Sequence, residues 1–265
     1  MKFVKPEVFL IAETKLENDE VDNFLMHINA KNWDTNAPSD AEKLTEIAGK
    51  TCYMSFDKKL NKNLTRVREN RNRDYIQEGL IGVGHGSVLE HSSVTFAICD
   101  VSRIFTHELV RHRAGCAYSQ VSGRYVRVEE VEAYKPKHLT DEENDLLKEA
   151  LTTIEIMYKT IESQVFERVG DDFDTKKKAT SAIRRMLPNG QGNHIIFTAN
   201  HRALRHIIEM RTSVHAEEEI KEVFDTILVM LKSRYPNIYE DLGDDKYFHR
   251  VLPGVNEGLT QHTKG

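Results

Sequence analysis

The sequence predicts a mixed α/β (α+β) fold organised as a single domain over residues 1–265. Short β-prone apolar segments occur between longer amphipathic segments that have a helical period. No internal repeat and no Gly/Ser-rich or Pro-rich linker divides the 265 residues, and a chain of this length can bury a substantial core. One domain is therefore favoured over two.

Four segments are predicted to form strands. Residues 7–14 are predicted as a strand rather than part of a signal peptide, because the start of the chain, residues 1–14, interrupts its short apolar run with charged residues and lacks a small-residue cleavage site. The other three are residues 92–98, 124–132 and 194–199.

A long amphipathic helix is predicted over residues 140–169, because Thr140 and Glu143 have the spacing of a capping box. Asn200 is expected to cap another helix. The remaining predicted helices are 40–50, 101–113, Asp174 to Pro188, 201–211 and 215–234. Residues 57–75, rich in Lys, Arg and Asn, are interpreted as a solvated helix or a mobile segment, and the tail after Gly254 as loose.

Composition limits the classes of function. The formal net charge of −5 argues against a general polyanion-binding surface. The three cysteines, Cys52, Cys99 and Cys116, are widely spaced and odd in number, so no disulfide framework is expected. No apolar run reaches the roughly 20 residues of a membrane helix, and the cytoplasm is the expected compartment.

The triplet Arg111-His112-Arg113 brings three potential cations together and is followed by Ser122-Gly123-Arg124. On the predicted helix 101–113, Glu108, Arg111 and His112 share a face, since each residue advances about 100°. An acid beside such donors can orient an arginine for bidentate binding of an oxyanion. The ordinary alternative is a solvated basic helix end.

Zinc and thiol chemistry have weaker support. A helical zinc-protease site needs two histidines four residues apart, but the position four residues after His107 is Arg111. Cys116 lacks an evident base to activate it, so an ordinary loop or core cysteine is favoured over a nucleophile. We therefore expect no metal.

Two further clusters contain groups that can bind an anion. The segment from Gly84 to His91 is by itself a turn with two surface histidines, in which Ser87 can cap a short helix. The other cluster contains Arg184, Asn200, Arg202, Arg205, His206, Arg211 and His215. Three such clusters in an acidic protein favour a site rich in bound anions.

Together these segments resemble the flavin-dependent thymidylate synthases, the ThyX family, from about Ser55 to Ile220. The matching patterns are Arg-His-Arg followed by Ser122, Arg184-x-x-Leu187-Pro188, Asn200-x-Arg202-x3-His206 and Arg211-x3-His215. Seven residues separate the triplet from the serine in the family, whereas eight do so here. We expect the additional residue in a loop between Ala114 and Ala117.

The resemblance implies a central, mostly antiparallel sheet with long flanking helices, in a homotetramer whose subunits share active sites. It implies FAD as cofactor, reduced by NADPH, and methylenetetrahydrofolate as the donor of a methylene group to carbon 5 of dUMP. The products would be dTMP and tetrahydrofolate.

The resemblance also implies roles for individual residues. Arg211 would be catalytic, and His85 would lie near the folate. The dUMP-binding residues would be Glu108, Arg111, Gln120, Val121, Ser122, Gly123, Arg124, Arg184 and Arg211. The FAD-binding residues would be Ser55, Ser87, Glu90, Arg111, His112, Arg113, Gln120, Asn200, Arg202 and His206. The family commonly has Gln at position 108, Glu at position 120 and often Asn at position 206.

The implied chemistry agrees with the residue types. A guanidinium group at Arg211 stabilises negative charge that develops on the pyrimidine, so carbon 5 can react without a cysteine nucleophile. Arg124 and the Ser122 hydroxyl suit a phosphate dianion.

Two alternatives stay open from the sequence. One is a related enzyme that hydroxymethylates dUMP, which the longer loop permits. The other is a nucleic-acid-binding module with steeply salt-dependent affinity, which the net negative charge and the lack of interleaved stacking aromatics oppose.

Overall fold

The computed structural model describes residues 1–56 and 71–243, and within them the chain forms two compact units. The sheet unit comprises Met1–Ile11, Thr95–Thr198 and Val214–Val223. Among the described residues, the helical unit comprises residues 12–56, 71–94, 199–213 and 224–243. The interpretations of residues 57–70 and of the tail after Gly254 lie outside the described residues.

The strands form two sheets. They are β1 (Lys2–Val4), β2 (Glu7–Glu13), β3 (Ser93–Ser102), β4 (Cys116–Gln120), β5 (Glu132–Tyr134) and β6 (Gly192–Asn200). The four-stranded sheet has the order β2-β3-β6-β4, so β3 and β6 are central. β1 and β5 pair in parallel, with Phe3 opposite Ala133.

Alternation along the central strands produces a core on one face of the four-stranded sheet. Phe96 and Phe197 are fully buried, whereas Ile196, the neighbour of Phe197, is exposed. The Phe197 ring stacks on Phe96 at 6.5 Å and on Tyr118 at 5.4 Å between ring centroids. These aromatic contacts join β3, β6 and β4.

The predicted strands at 7–14, 92–98 and 194–199 are confirmed, but the one at 124–132 is wrong. Backbone N–H groups of Tyr125 and Val126 both donate to the Ser122 carbonyl oxygen, at 3.0 Å each, so the chain turns there. The strand that follows is only β5. β-propensity in this segment is overridden by the local turn.

The helices confirm most of the predicted boundaries. They are α1 (Asn18–His27), α2 (Asp40–Tyr53), α3 (Asn72–Asp74), α4 (Arg103–Leu109), α5 (Asp141–Val169), α6 (Phe173–Ile183), α7 (His201–Arg211), α8 (Glu218–Arg234) and α9 (Pro236–Tyr239). Thr140 and Glu143 form the predicted capping box of α5. Asn200 caps α7, since its Oδ1 accepts from the Ala203 N–H at 2.8 Å.

Shorter helical turns complete the described chain. A π-helical turn covers Tyr75–Ile81, and 3-10 turns cover Gly86–Glu90 and Arg184–Met186. The mixed α/β class is confirmed. In the described part of the chain, no helix combines the length and the apolar character that crossing a membrane requires.

The helical unit fixes α7 by buried polar contacts. Nδ1 of His201 lies 2.7 Å from the Tyr239 hydroxyl, and burial lowers the pKa of this histidine to about 3, so it is neutral. Arg205 forms two parallel hydrogen bonds with Asp241, at 2.8 and 2.7 Å. His201 and Arg205 thus anchor the buried face of α7, and side chains on its opposite face are exposed.

We predict that Phe197→Ala lowers the free energy of unfolding by about 3–5 kcal/mol, because the lost ring leaves a cavity between two aromatic neighbours. Phe173→Ala is the matched control, since Phe173 is 69% exposed whereas Phe197 is 0% exposed. The control is expected to change stability by less than about 1 kcal/mol. Urea unfolding measures both, and equal losses would contradict the assignment of Phe197 to the core.

Candidate functional site

Helix α4 begins at a buried hydrogen-bonded cap. The Ser102 Oγ accepts from the Phe105 N–H at 3.1 Å, which caps the helix. The Glu219 carboxyl group then closes on Ser102: its Oε1 accepts from the Ser102 N–H at 2.6 Å, and its Oε2 bonds the Ser102 hydroxyl. The first turn of α4 is therefore fixed from outside the helix.

Arg103, the first residue of α4, reaches the turn that follows β4. Its Nη2 donates to the Val121 carbonyl oxygen at 3.4 Å. A Cβ atom at Gly123 would lie 3.6 Å from Nη2 of Arg103 and 3.6 Å from Cδ of Arg184. Burial lowers the pKa of the Arg103 guanidinium, and the neighbouring charge of Arg184 lowers it further. Two cations thus flank one glycine.

The Ser122–Arg124 turn contributes to the same place. The Arg124 N–H donates to Ser122 Oγ at 3.4 Å, which stabilises the turn, and Arg124 is exposed. With Arg103 and Arg184, the turn forms a cluster that we call the arginine cradle: Arg103, Ser122, Gly123, Arg124 and Arg184. Guanidinium groups, a hydroxyl and backbone at a glycine are a donor set suited to a phosphate group.

The basic triplet lies outside the helix, contrary to prediction. Helix α4 ends at Leu109, and the His112 N–H donates to the Leu109 carbonyl oxygen at 3.1 Å in a turn. The Tyr118 hydroxyl lies 3.1 Å from the Leu109 carbonyl oxygen and also bonds that of His112. Arg111 and His112 therefore do not share a helical face with Glu108; Arg111 and Arg113 are exposed on a loop.

The segment from Ala114 to Ala117, where the additional residue is expected, covers the end of this loop and the start of β4. Gly115 has φ of 71°, a value that glycine adopts without strain, and the Cys116 N–H donates to the Arg113 carbonyl oxygen at 3.4 Å. Strand β4 starts directly afterwards, at Cys116. The chain therefore turns at Gly115 between the basic triplet and β4.

Three other predicted residues lie in the sheet unit. Of these, Gln120 and Val121 form hydrogen bonds with β6. The Asn193 amide donates to Oε1 of Gln120 at 3.1 Å, and Asn193 is buried while Gln120 is exposed. Glu108 is half-buried on α4. Burial raises the pKa of Glu217, and the charge of Glu108 raises it further. Val121 continues the pairing of β4 with β6 through its N–H, which donates to the His194 carbonyl oxygen at 3.0 Å.

In the helical unit, the 3-10 turn Gly86–Glu90 lies against α7. The Arg202 guanidinium forms a charge-assisted hydrogen bond with Glu90. A Cβ atom at Gly86 would lie 3.5 Å from Nε of Arg202. Ser87 is exposed, and the turn has no side-chain cap, so the expected capping role of Ser87 is wrong. His85 is exposed at the start of the turn.

Helix α7 presents the remaining predicted residues. Arg202 and His206 are four residues apart, so they lie on one side of the helix, and both are exposed. Arg211 is the last residue of α7 and half-buried, and nine steps of about 100° place it roughly half a turn from Arg202. Ser55 is buried after α2, where its hydroxyl lies 3.5 Å from the Lys50 carbonyl oxygen.

Thiol and metal chemistry gain no support. Burial raises the pKa of the Cys116 thiol, which disfavours the nucleophilic thiolate. Across residues 1–56 and 71–243, no group of three or more His, Cys, Asp or Glu side chains is arranged to hold a metal ion.

Comparison with known proteins gives the same family as the residue patterns. The family model described as thymidylate synthase complementing protein matches residues 35–237. A flavin-dependent thymidylate synthase of Mycolicibacterium vanbaalenii is 36% identical over 214 residues, which are 79% of this chain and 82% of that protein. Proteins of the same name from Mycobacterium tuberculosis and Corynebacterium efficiens match with the same identity and coverage. The chain belongs to the family of flavin-dependent thymidylate synthases.

One residue of the arginine cradle, Arg103, was not predicted from the sequence of this thymidylate synthase family member. Arg103 has no basic neighbour along the chain, so no cluster draws attention to it. The available signal was its position directly after a β-prone segment that ends in a capping serine, Ser102, which marks the first residue of a helix. Glu219, 117 residues away from Ser102, had no signal of any kind.

We predict that Glu219 makes the stability of this family member depend on pH. Burial raises its pKa from 4.5 to about 7, against the hydrogen bonds from Ser102, which lower it; Glu217 and Glu218 raise it further. The folded state therefore binds more protons than the unfolded state between these values. The free energy of unfolding should therefore fall as pH rises from about 4.5 to about 7. Above about pH 7 the contribution of Glu219 to it should be constant.

One pKa unit corresponds to about 1.4 kcal/mol, so a shift from 4.5 to about 7 contributes at most about 3.5 kcal/mol. Urea unfolding of the wild type and of Glu219→Gln at a series of pH values isolates it, because the amide does not titrate. The difference between the two proteins should change through this window. A constant difference from pH 4 to pH 8 would contradict the assignment.

Proposed function

We propose that the protein is an FAD-dependent thymidylate synthase. It transfers the methylene group of methylenetetrahydrofolate to carbon 5 of dUMP and reduces it, which gives dTMP and tetrahydrofolate. The observation that carries the proposal is the arginine cradle, where Arg103 and Arg184 flank Gly123 in a chain of this family. Two neighbouring cations beside a glycine favour the binding of an anion, and the substrate of this reaction has a terminal phosphate dianion.

The cradle binds the phosphate of dUMP in this proposal. Arg103 and Arg184 supply guanidinium donors, and the Ser122–Arg124 turn supplies a hydroxyl and a third guanidinium. Gly123 lets the phosphate approach the backbone because it has no side chain. A Cβ atom at this position would lie 3.6 Å from atoms of both Arg103 and Arg184. We assign Glu108, Arg111, Gln120 and Val121 to the remaining contacts with dUMP, on the strength of the family pattern.

Gln120 is suited to a uracil carbonyl group. Its Oε1 accepts from the buried Asn193 amide at 3.1 Å, which leaves the Gln120 amide nitrogen as the donor. A glutamate at this position, as is common in the family, would accept rather than donate. The Asn193 contact therefore supports a hydrogen bond from the Gln120 amide to a uracil carbonyl oxygen rather than from the uracil N–H to Gln120.

Activation of the pyrimidine is assigned to Arg211. Carbon 5 becomes nucleophilic when negative charge develops on the ring, and a guanidinium group stabilises that charge while keeping its proton. The raised pKa of the Cys116 thiol is consistent with a reaction that needs no cysteine. The role of Arg211 rests on its place in the Arg211-x3-His215 pattern.

FAD is assigned to two groups of polar and charged side chains, most of which are exposed, although Ser55 is buried. One is the loop Arg111–Arg113 together with Gln120, and the other is Asn200, Arg202 and His206 with Ser55, Ser87 and Glu90. Positive side chains beside a glycine-containing turn suit a dinucleotide with a diphosphate, and the exposed pair of Arg202 and Glu90 fits hydroxyl and phosphate groups. When bound, the flavin supplies the hydride, which comes originally from NADPH. His85 is assigned to the vicinity of the folate.

Assembly into a homotetramer is part of the proposal, as are a single functional domain and a cytoplasmic location. The face of the four-stranded sheet opposite the core supports assembly, because the large apolar side chains Phe9, Ile11 and Ile196 are exposed there. Apolar patches of this kind are typical of protein–protein contacts.

We predict that the purified protein is yellow, that its flavin absorption changes on addition of dUMP, and that it makes dTMP. The assay contains dUMP, methylenetetrahydrofolate and NADPH, and mass spectrometry identifies the product. A product one oxygen heavier than dTMP would instead identify a hydroxymethylase. Colourless protein that does not bind added FAD would overturn the proposal.

We predict that Arg211→Ala lowers kcat by about 100- to 1000-fold, the usual cost of removing a donor that stabilises developing charge. FAD binding, measured by absorption, should be unchanged. Arg234→Ala is the matched control, since the Arg234 guanidinium pairs with Glu13 at 2.6 Å on the surface of the helical unit. An Arg211→Ala enzyme with wild-type kcat, or a control with an equal loss, would remove Arg211 from the reaction.

A further inference from the structure

The contact between Glu219 and Ser102 is buried and lies outside the residues that the proposed reaction uses. Glu219 is 2% exposed and Ser102 is 1% exposed. A carboxyl group so far from water is costly unless its hydrogen bonds are made, and here both oxygens bond the same residue. Since Ser102 caps α4, Glu219 fixes the orientation of the hydroxyl group that accepts from the Phe105 N–H.

The residue that follows Ser102 is Arg103 of the arginine cradle. Its backbone N–H donates to the Gln191 carbonyl oxygen at 3.1 Å, and the next N–H, of Ile104, donates to Asn189 at 3.2 Å. The backbone that carries the Arg103 side chain is therefore held at three consecutive residues, beginning with Ser102. The side chain itself donates to the Val121 carbonyl oxygen at 3.4 Å.

Charge repulsion between Arg103 and Arg184 explains why a fixed backbone at Arg103 matters. Arg103 and Arg184 approach the same glycine, and without an anion their guanidinium groups repel each other. A long side chain under repulsion keeps its position only when its backbone is fixed and its rotamers are limited by neighbours. Repulsion from Arg184 thus tends to move the Arg103 side chain away from the position in which it binds an anion. The fixed backbone of Arg103 opposes this movement.

We propose that Glu219 is a positioning residue for phosphate recognition, acting through Ser102 to hold Arg103 beside Gly123 and Arg184. The inference rests on the proposed function, in which this cradle binds the phosphate of dUMP. Glu219 itself does not contact the substrate in this arrangement. It sets the affinity for the phosphate group specifically, leaving the affinity for the nucleoside unchanged.

The helical unit offers a matched control. Ser39 caps α2, and its hydroxyl donates to Glu42 Oε2 at 2.6 Å while accepting from the Glu42 N–H at 3.3 Å. Glu42 is fully buried and also accepts from the Asn237 N–H at 2.7 Å. The chemistry is the same as at Ser102, a capping serine and a buried glutamate, but the residue after Ser39 is Asp40 rather than an arginine.

The experiment is a comparison of dissociation constants for dUMP and deoxyuridine on the FAD-loaded protein. Glu219→Ala is expected to weaken dUMP binding about tenfold, as for loss of a charge-assisted contact, and deoxyuridine binding by less than about twofold. Glu42→Ala should change both ligands equally. Glu219→Gln should stay within about threefold of wild type, because the amide still accepts from the Ser102 N–H and donates to its hydroxyl.

A double-mutant cycle tests whether the effect runs through Arg103. In an Arg103→Ala background, Glu219→Ala should weaken dUMP binding by less than about twofold further. A tenfold further loss in that background would overturn the inference, as would equal weakening of dUMP and deoxyuridine in Glu219→Ala alone. If Glu219→Ala does not fold, Ser102→Ala replaces it and Ser39→Ala becomes its control, with the same selective loss expected.

Failure of the inference and failure of the proposed function give different results. If wild-type protein binds deoxyuridine as tightly as dUMP, the cradle does not bind the phosphate and the proposed function loses its main support. If wild type prefers dUMP and Glu219→Ala retains that preference in full, the function stands and Glu219 has only a structural role.

Discussion

The repulsion between two guanidinium groups beside one glycine is the constraint on which the site depends. Arg103 comes from the start of α4 and Arg184 from a 3-10 turn after α6, and Gly123 is close to both. Such an arrangement lowers stability unless the backbone of each part is fixed and an anion balances the charge. The cap at Ser102, the contact with Val121 and the turn at Ser122 satisfy the first condition. The phosphate of a nucleotide would satisfy the second.

The core of the sheet unit and the loop above it are stabilised by the same side chain. The Tyr118 ring stacks on Phe197 in the core, while its hydroxyl binds the carbonyl oxygens of Leu109 and His112. Burial raises the pKa of this hydroxyl, so it remains a donor. Because those carbonyl groups are bound by Tyr118, α4 ends before the basic triplet, which becomes a loop with exposed arginines.

Local signals predicted the elements whose ends depend on neighbours in sequence. Thr140 and Asn200 cap helices through residues three positions away, so their spacing alone was sufficient. The end of α4 and the loss of the strand at 124–132 depend on Tyr118 and on the Ser122 turn. Residue propensities describe neither the contacts of the Tyr118 hydroxyl with Leu109 and His112 nor the hydrogen bonds of the Ser122 turn. Arg103 was missed for the same reason, since its partners Val121, Gly123 and Arg184 are distant in sequence.

Two capping serines that each bond a buried glutamate show how the same local chemistry can have different consequences. At Ser39 and Glu42 the partners are three residues apart, so they belong to one capping motif that stabilises α2. At Ser102 and Glu219 the partners are 117 residues apart, and the bond connects α4 to the start of α8. Only the second pair precedes an arginine of the cradle. A capping contact thus acquires a role in recognition because of the residue that follows it.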